Sequence, residues 1–272
     1  MVALASRAAS LFRLKEVVVA TFELRPLSTG EILDGSLALL RRHFGLFFSI
    51  AVACQGLPAA LDVYVDLSGG GEAHPGLALL ERLLSAVGKL FVTGATVRAV
   101  SGAYLGRAPR LGEALRFAGG KFGVIFGATL ASGFLAGLAT LALVVPGIVV
   151  FCGYSVVGQV AALEQLRSST EALGRSWALT KGFKRKALVL WVVSVTLLLA
   201  LVFGAAAVGG VAAGLGGGGL EAASVVLLAI MMLFFYPLLT CVFTLFYYDL
   251  RVRKEGFDLE ILGGQLGIAP PV

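Results

Sequence analysis

Residues Ala222 to Tyr247 read AASVVLLAIMMLFFYPLLTCVFTLFY, 26 positions in succession without a charged side chain. A helix rises about 1.5 Å per residue, so about 20 such residues cross the ~30 Å hydrocarbon layer of a bilayer. Backbone N–H and C=O groups find no water there, and a helix satisfies them within a single segment. Working back along the chain, similar stretches lie at about Phe44 to Asp62, Leu77 to Tyr104, Phe122 to Val145, Pro146 to Leu163 and Ala187 to Val208. The chain of 272 residues is 58% hydrophobic and 14% charged, against about 25% charged in ordinary soluble domains. Six spans consume most of it and exclude a soluble catalytic domain. The expected fold is all-α: a polytopic membrane protein with six transmembrane helices arranged as three hairpins, in one domain over 25–262. Residues 263–272 form a tail. Residues 1–24 repeat nothing later in the chain and form an N-terminal extension, either a surface helix or the product of an upstream start codon. Their apolar run, Val17 to Thr21, is too short for the core of a cleaved signal.

The net charge of +6 comes from 22 Lys and Arg that fall in blocks between the apolar runs. Arg41 and Arg42 precede the first span, and Arg98 to Lys121 follow the second. Arg167 to Lys186 separate the fourth and fifth, and Arg251, Arg253 and Lys254 follow the sixth. With six spans all these blocks share one side, while Val63 to Gly76, the Pro146-Gly147 turn and the glycine run Gly209 to Gly219 carry no Lys or Arg. Positively charged loops stay in the cytoplasm, so the expected location is the cytoplasmic membrane with both termini inside. Distributed this way, the charge argues for a lipid surface and against a nucleic-acid partner.

The chain also repeats itself. Glu31-Ile32-Leu33, Glu113-Ala114-Leu115 and Glu171-Ala172-Leu173 each lead toward a basic-aromatic end: Arg42-His43-Phe44, Lys121-Phe122 and Lys181-Gly182-Phe183. Ser28-x-x-Glu31 and Ser168-x-x-Glu171 have the spacing of capping boxes, in which serine and glutamate side chains satisfy free N–H groups at a helix start. Leu33, Leu37, Leu40 and Phe44 fall on one helical face, as do Leu111, Leu115, Ala118 and Phe122. Each hairpin is thus expected to follow an amphipathic helix lying in the cytoplasmic interface.

Arg25-Pro26-Leu27-Ser28-x-Gly30-Glu31-Ile32-Leu33-Asp34 followed by Arg41-Arg42-His43-Phe44 resembles the opening of a prokaryotic family of six-span proteins. Arg175-Ser176-Trp177-x-Leu179-Thr180-Lys181-Gly182 and Tyr247-Tyr248-Asp249-Leu250-Arg251-Val252-Arg253-Lys254-Glu255-Gly256-Phe257-Asp258 resemble its later landmarks. The family is the glycerophosphoryl diester phosphodiesterase membrane-domain-like family, and the resemblance covers about Leu24 to Leu262. In the proteins that supply the name, such a membrane region precedes a soluble barrel that carries the catalysis. The resemblance therefore implies a six-span fold and no phosphodiesterase activity.

Chemistry-bearing patterns are few. Gly214-x-Gly216-x-x-Gly219 has the letters of a dinucleotide fingerprint but joins two membrane helices, where no strand precedes it. His43 and His74 lie outside the spans, so Ser155 has no base in reach. Cys54, Cys152 and Cys241 sit in apolar runs with no metal-ligand spacing. Asp249 has no second intramembrane aspartate facing it, and pairing with Arg251 or Arg253 is the expectation; Glu164 is expected beside Arg167. These readings point to a non-enzymatic protein with no cofactor and no metal. Lys89 lies deep in the second span, where a charge costs about 2.5 to 3.5 kcal/mol. With Asp62 and Gln55 of the first span it forms either a solute or proton site, or else an ion pair or a snorkelling lysine. Gly123, Gly127, Gly133 and Gly137 are spaced for close helix packing along the third span.

The leading expectation is a scaffold or accessory subunit of a membrane assembly whose basic cytoplasmic face holds anionic lipid headgroups or other membrane proteins. Its surface would be Arg41, Arg42, Arg116, Lys121, Arg175, Trp177, Lys181, Lys184, Arg185, Lys186, Arg251, Arg253 and Lys254. Each cation near an anionic leaflet contributes about 1 kcal/mol. The alternative is a transporter or channel for a small or lipid-like solute, using Lys89, Asp62 and Gln55.

Overall fold

The structure, a computed structural model, describes residues 25–104, 110–214 and 218–256; the N-terminal extension, the C-terminal tail and the centre of the glycine run lie outside the described residues. Those described are helical almost throughout: α1 (Thr29–Arg42), α2 (Phe44–Leu67), α3 (Gly70–Ala73), α4 (Pro75–Tyr104), α5 (Leu111–Ala142), α6 (Val144–Gly153), α7 (Val157–Leu163), α8 (Ser169–Thr180), α9 (Lys184–Gly214) and α10 (Gly218–Glu255). Six segments are long and apolar enough to cross a membrane: Phe44–Leu67, Pro75–Ala103, Leu111–Ala142, Val144–Leu163, Lys184–Val211 and Ala222–Glu255. The chain is an all-α, multi-pass membrane protein. Leu130, Phe134, Leu141 and Phe203 are more than 60% exposed, which an apolar solvent tolerates and water does not.

The three units differ in how they begin. At Ser28 the capping box is complete: the Ser28 Oγ accepts from the Glu31 N–H at 3.2 Å, and the Glu31 carboxylate accepts from the Ser28 N–H at 2.6 Å. At Ser168 it is half formed, because the Glu171 carboxylate accepts from the Arg167 N–H instead. The second unit has no separate leading helix, since α5 runs unbroken from Leu111 into the third span. Breaks need a backbone that cannot continue the helix. His43 supplies one with φ −115° between α1 and α2, and Gly182 supplies another with φ +89°, a left-handed conformation open to glycine.

Spans three and four turn at the extended Leu143, and Pro146 falls within the first turn of α6, where its missing N–H costs nothing. Gly147 is required there because a Cβ would lie 2.6 Å from the Thr140 Cα. Span four is discontinuous, breaking between Gly153 and Val157. Helix α4 packs between α2 and α5, and α10 packs against α1, α2, α4 and α9. Close glycine contacts occur on α4: a Cβ at Gly88 would meet the Cys54 carbonyl at 2.3 Å, and one at Gly94 would meet Ala118 at 3.0 Å. Along α5 only Gly127 makes such a contact, with Ser169, while Cβ atoms at Gly123, Gly133 and Gly137 would meet nothing. The close packing expected of the α5 glycines is made by α4.

Candidate functional site: a charged cleft and a basic face

Gln55, Asp62 and Lys89 meet in one cleft of about 230 Å³ between α2, α4 and α10. Asp66, Glu81, Ser85 and Tyr236 complete its polar lining. Lys89 sits over the Tyr236 ring, 5.0 Å from its centroid, so the ring's negative face helps hold the ammonium in the membrane. Gln55 is buried and donates to the Ser85 carbonyl at 3.1 Å, joining α2 to α4 beside Gly88. Among the described residues no ion pair within 4 Å ties Lys89 to a carboxylate, although Asp62, Asp66 and Glu81 line the same cleft. The cleft holds three acids and one base. Glu81, Ser85, Lys89 and Thr93 stand four residues apart, a polar stripe on one face of α4 that the sequence shows once helical periodicity is applied to polar residues as well as apolar ones.

The basic face, at the other end of the spans, is organised around Asp249. Its side chain is buried and accepts from the Leu27 N–H at 2.7 Å, Lys186 at 2.6 Å and Arg253 at 2.9 Å. The Leu27 carbonyl in turn accepts from Lys186 at 2.6 Å and from Arg253 at 2.8 Å. This clasp joins the segment before α1 to the starts of α9 and the end of α10. Glu164 forms a second node. It pairs with Arg175 and not with Arg167, at 2.8 Å, and accepts from the Tyr247 hydroxyl at 3.0 Å, while its backbone carbonyl takes Lys121 at 3.1 Å. Arg175 also reaches Glu255, which pairs with Arg251 at 2.9 Å. Tyr248 and Ser101 share a buried hydrogen bond at 2.8 Å.

The expected lipid or partner surface therefore divides. Arg175, Lys186, Arg251 and Arg253 are engaged in ion pairs, Lys121 and Lys254 donate to backbone carbonyls, and Lys184 lies 3.3 Å from the centroid of the Trp177 ring. Trp177 itself covers Gly153, where a Cβ would lie 2.3 Å from the indole. Arg41, Arg42, Arg116, Lys181 and Arg185 remain exposed. Arg98 rests on Phe117, 5.6 Å from its centroid. Outside the spans the Ser28 backbone N–H, followed by the Arg25 guanidinium, pulls the Glu31 carboxyl down to about 2.

Among the described residues there is no group of three His, Cys, Asp or Glu placed to hold a metal. No protein-family model, curated protein or solved structure matches the chain.

Proposed function

We propose that the chain is a non-enzymatic transporter or channel for a small or lipid-like solute, acting through the cleft of Gln55, Asp62 and Lys89. The observation that carries the reading is the composition of that cleft. Four ionisable side chains line it inside or at the end of membrane spans, and its lysine is held by an aromatic ring instead of a matched carboxylate. Intramembrane charges are costly and are retained where they line a pathway or pair with each other. Pro58 and Pro237 lie in the helices that wall the cleft and supply points where those helices bend.

In proteoliposomes, swelling would be measured in isosmotic urea, methylammonium chloride and sodium lactate. One of these is expected to give a protein-dependent flux that falls at least tenfold in Lys89→Leu and in Asp62→Asn. A flux undiminished in both variants, or no protein-dependent flux of any solute, overturns the reading.

A second reading, a scaffold or accessory subunit, draws on the exposed Arg41, Arg42, Arg116, Lys181 and Arg185, which suit anionic headgroups or another membrane protein. It is tested by changing Arg41, Arg42 and Arg185 together to glutamine, which leaves the Asp249 clasp intact, and measuring retained anionic lipid. Both readings place the chain in the cytoplasmic membrane with both termini inside, on the strength of its one-sided Lys and Arg blocks. Membership of the six-span family is part of the proposal and rests on the landmarks at Arg25 to Phe44, Arg175 to Gly182 and Tyr247 to Asp258 that resemble it.

A further inference from the structure

One helical turn beyond the charged cleft, along both α4 and α10, lies a second cavity of about 310 Å³ that no part of the functional reading above uses. It opens beside the break in span four and, among the described residues, no charged side chain lines it. Three polar groups there lack a hydrogen-bond partner among the described residues. The Ser155 hydroxyl, at the break itself, and the Trp191 indole N–H are fully buried without a hydrogen bond. Gln159 is 5% exposed, lines the cavity, and its amide makes no hydrogen bond to a described residue. Buried polar side chains are nearly always satisfied in folded proteins, so the unpartnered Gln159 amide on the cavity, with two unsatisfied groups in the surrounding wall, implies something that fills the space.

The donors and acceptors indicate what that is. Thr93, Ser132 and Thr240 each commit their hydroxyl proton to a carbonyl of their own helix, at 2.9, 2.9 and 3.0 Å, which leaves their oxygens to act as acceptors. Trp191 is a donor only, Gln159 is both donor and acceptor, and Ser155 is free to be either. A ligand that donates to these oxygens while exchanging hydrogen bonds with the Gln159 amide fits the lining, which is the pattern of a molecule with several hydroxyl groups. An ion would find no counter-charge here and is excluded by desolvation. Phe151 and Phe243 flank Trp191 at 4.6 and 4.7 Å between ring centroids, giving an aromatic wall against which the C–H face of such a molecule can lie. The rim residues Thr129 and Gly133 are exposed, and their neighbours Leu130 and Phe134 face outward at 62% and 65% exposure. The mouth therefore opens sideways into the lipid.

We infer that this cavity binds a neutral, polyhydroxylated group, reached from the membrane as the head of a neutral glycolipid or from water as a free polyol. The inference does not depend on the charged cleft carrying a solute.

The test is native mass spectrometry of the protein released from phosphatidylcholine nanodiscs loaded with monoglucosyl diacylglycerol, alongside a titration of the same nanodiscs with glucose. Saturable binding is expected for the glucolipid, weakened at least tenfold in Gln159→Leu and in Gly133→Leu and unchanged in Lys89→Leu. Gly133→Leu guards against misfolding, because a Cβ at Gly133 meets nothing within 4 Å and the side chain can plug the mouth. Saturable binding of glucose with the same variant pattern would assign the site to a free polyol. No saturable binding of either probe, or equal binding in both cavity variants, overturns the inference. Loss in Lys89→Leu together with the cavity variants also overturns it, since the site would then belong to the cleft.

Discussion

The two ends of the helix bundle carry ionisable residues in opposite ways. On the basic face the buried carboxylate of Asp249 is met by two cations and a backbone N–H, and Glu164 by a guanidinium and a phenol. In the cleft at the other end, Lys89 shares a cavity with three acids and pairs with none of them within 4 Å. Charge matched within the protein holds helices together. Charge left unmatched near a cavity remains available to something else, and it is on this contrast that the proposed function rests.

The sharpest way to break this comparison is Asp249→Ala. It leaves the Leu27 N–H without its acceptor and Lys186 and Arg253 with only the Leu27 carbonyl in place of a carboxylate, and removing one member of a buried pair costs about 3 to 5 kcal/mol. A large fall in the thermal midpoint in detergent, or failure to accumulate in the membrane, is the expected outcome. Glu164→Gln keeps an acceptor for Tyr247 but removes the charge that Arg175 meets. Because Arg175 is partly exposed, the loss should be nearer to about 1 kcal/mol, read from the same melting curves. Lys89→Leu should change stability by no more than about 0.5 kcal/mol or raise it slightly, because it relieves an intramembrane charge without stranding a partner. Destabilisation on the scale of Asp249→Ala would show that the cleft is structural after all and would end the distinction.

The smallest effect concerns pH. The Glu31 carboxyl is held at about 2, below its ordinary 4.5, so its contribution to the α1 cap is complete above pH 4.5 and is lost as pH falls from there toward 2. Hydrogen exchange at the first turn of α1 should quicken over that interval, and Glu31→Gln should flatten the response.

Length and hydropathy were enough to read the six spans, because a membrane segment must be about 20 apolar residues long whatever it packs against. Lys89 stood out for the same reason, as a charge where none is cheap, and Gln55 and Asp62 followed as the polar residues at matching depth on the preceding helix. The rest depended on information that no single segment holds. That Asp249 meets Lys186 as well as Arg253, and that Glu164 meets Arg175 instead of Arg167, follows from which helices lie side by side, and hydropathy leaves the order of helices around the bundle open. The discontinuity at Gly153–Val157 was invisible for a further reason. Its letters, GYSVV, are as apolar as their surroundings, and it is the Trp177 ring over Gly153, together with Ser176 and Thr180 both donating to the Gly153 carbonyl at 3.0 Å, that holds the end of α6. The repeated Glu-x-Leu segments proved alike in sequence and unequal in structure, since a chain break such as His43 or Gly182 is needed to separate a leading helix from its span and the second unit has neither.

The Leu27–Asp249 clasp joins residues 222 positions apart. Translation at 5 to 20 residues per second separates their emergence by roughly 10 to 45 seconds, during which the Leu27 groups have no protein partner at Asp249. Closure of the clasp is therefore a late event, which sets the segment before α1 in place only after the last helix has been made.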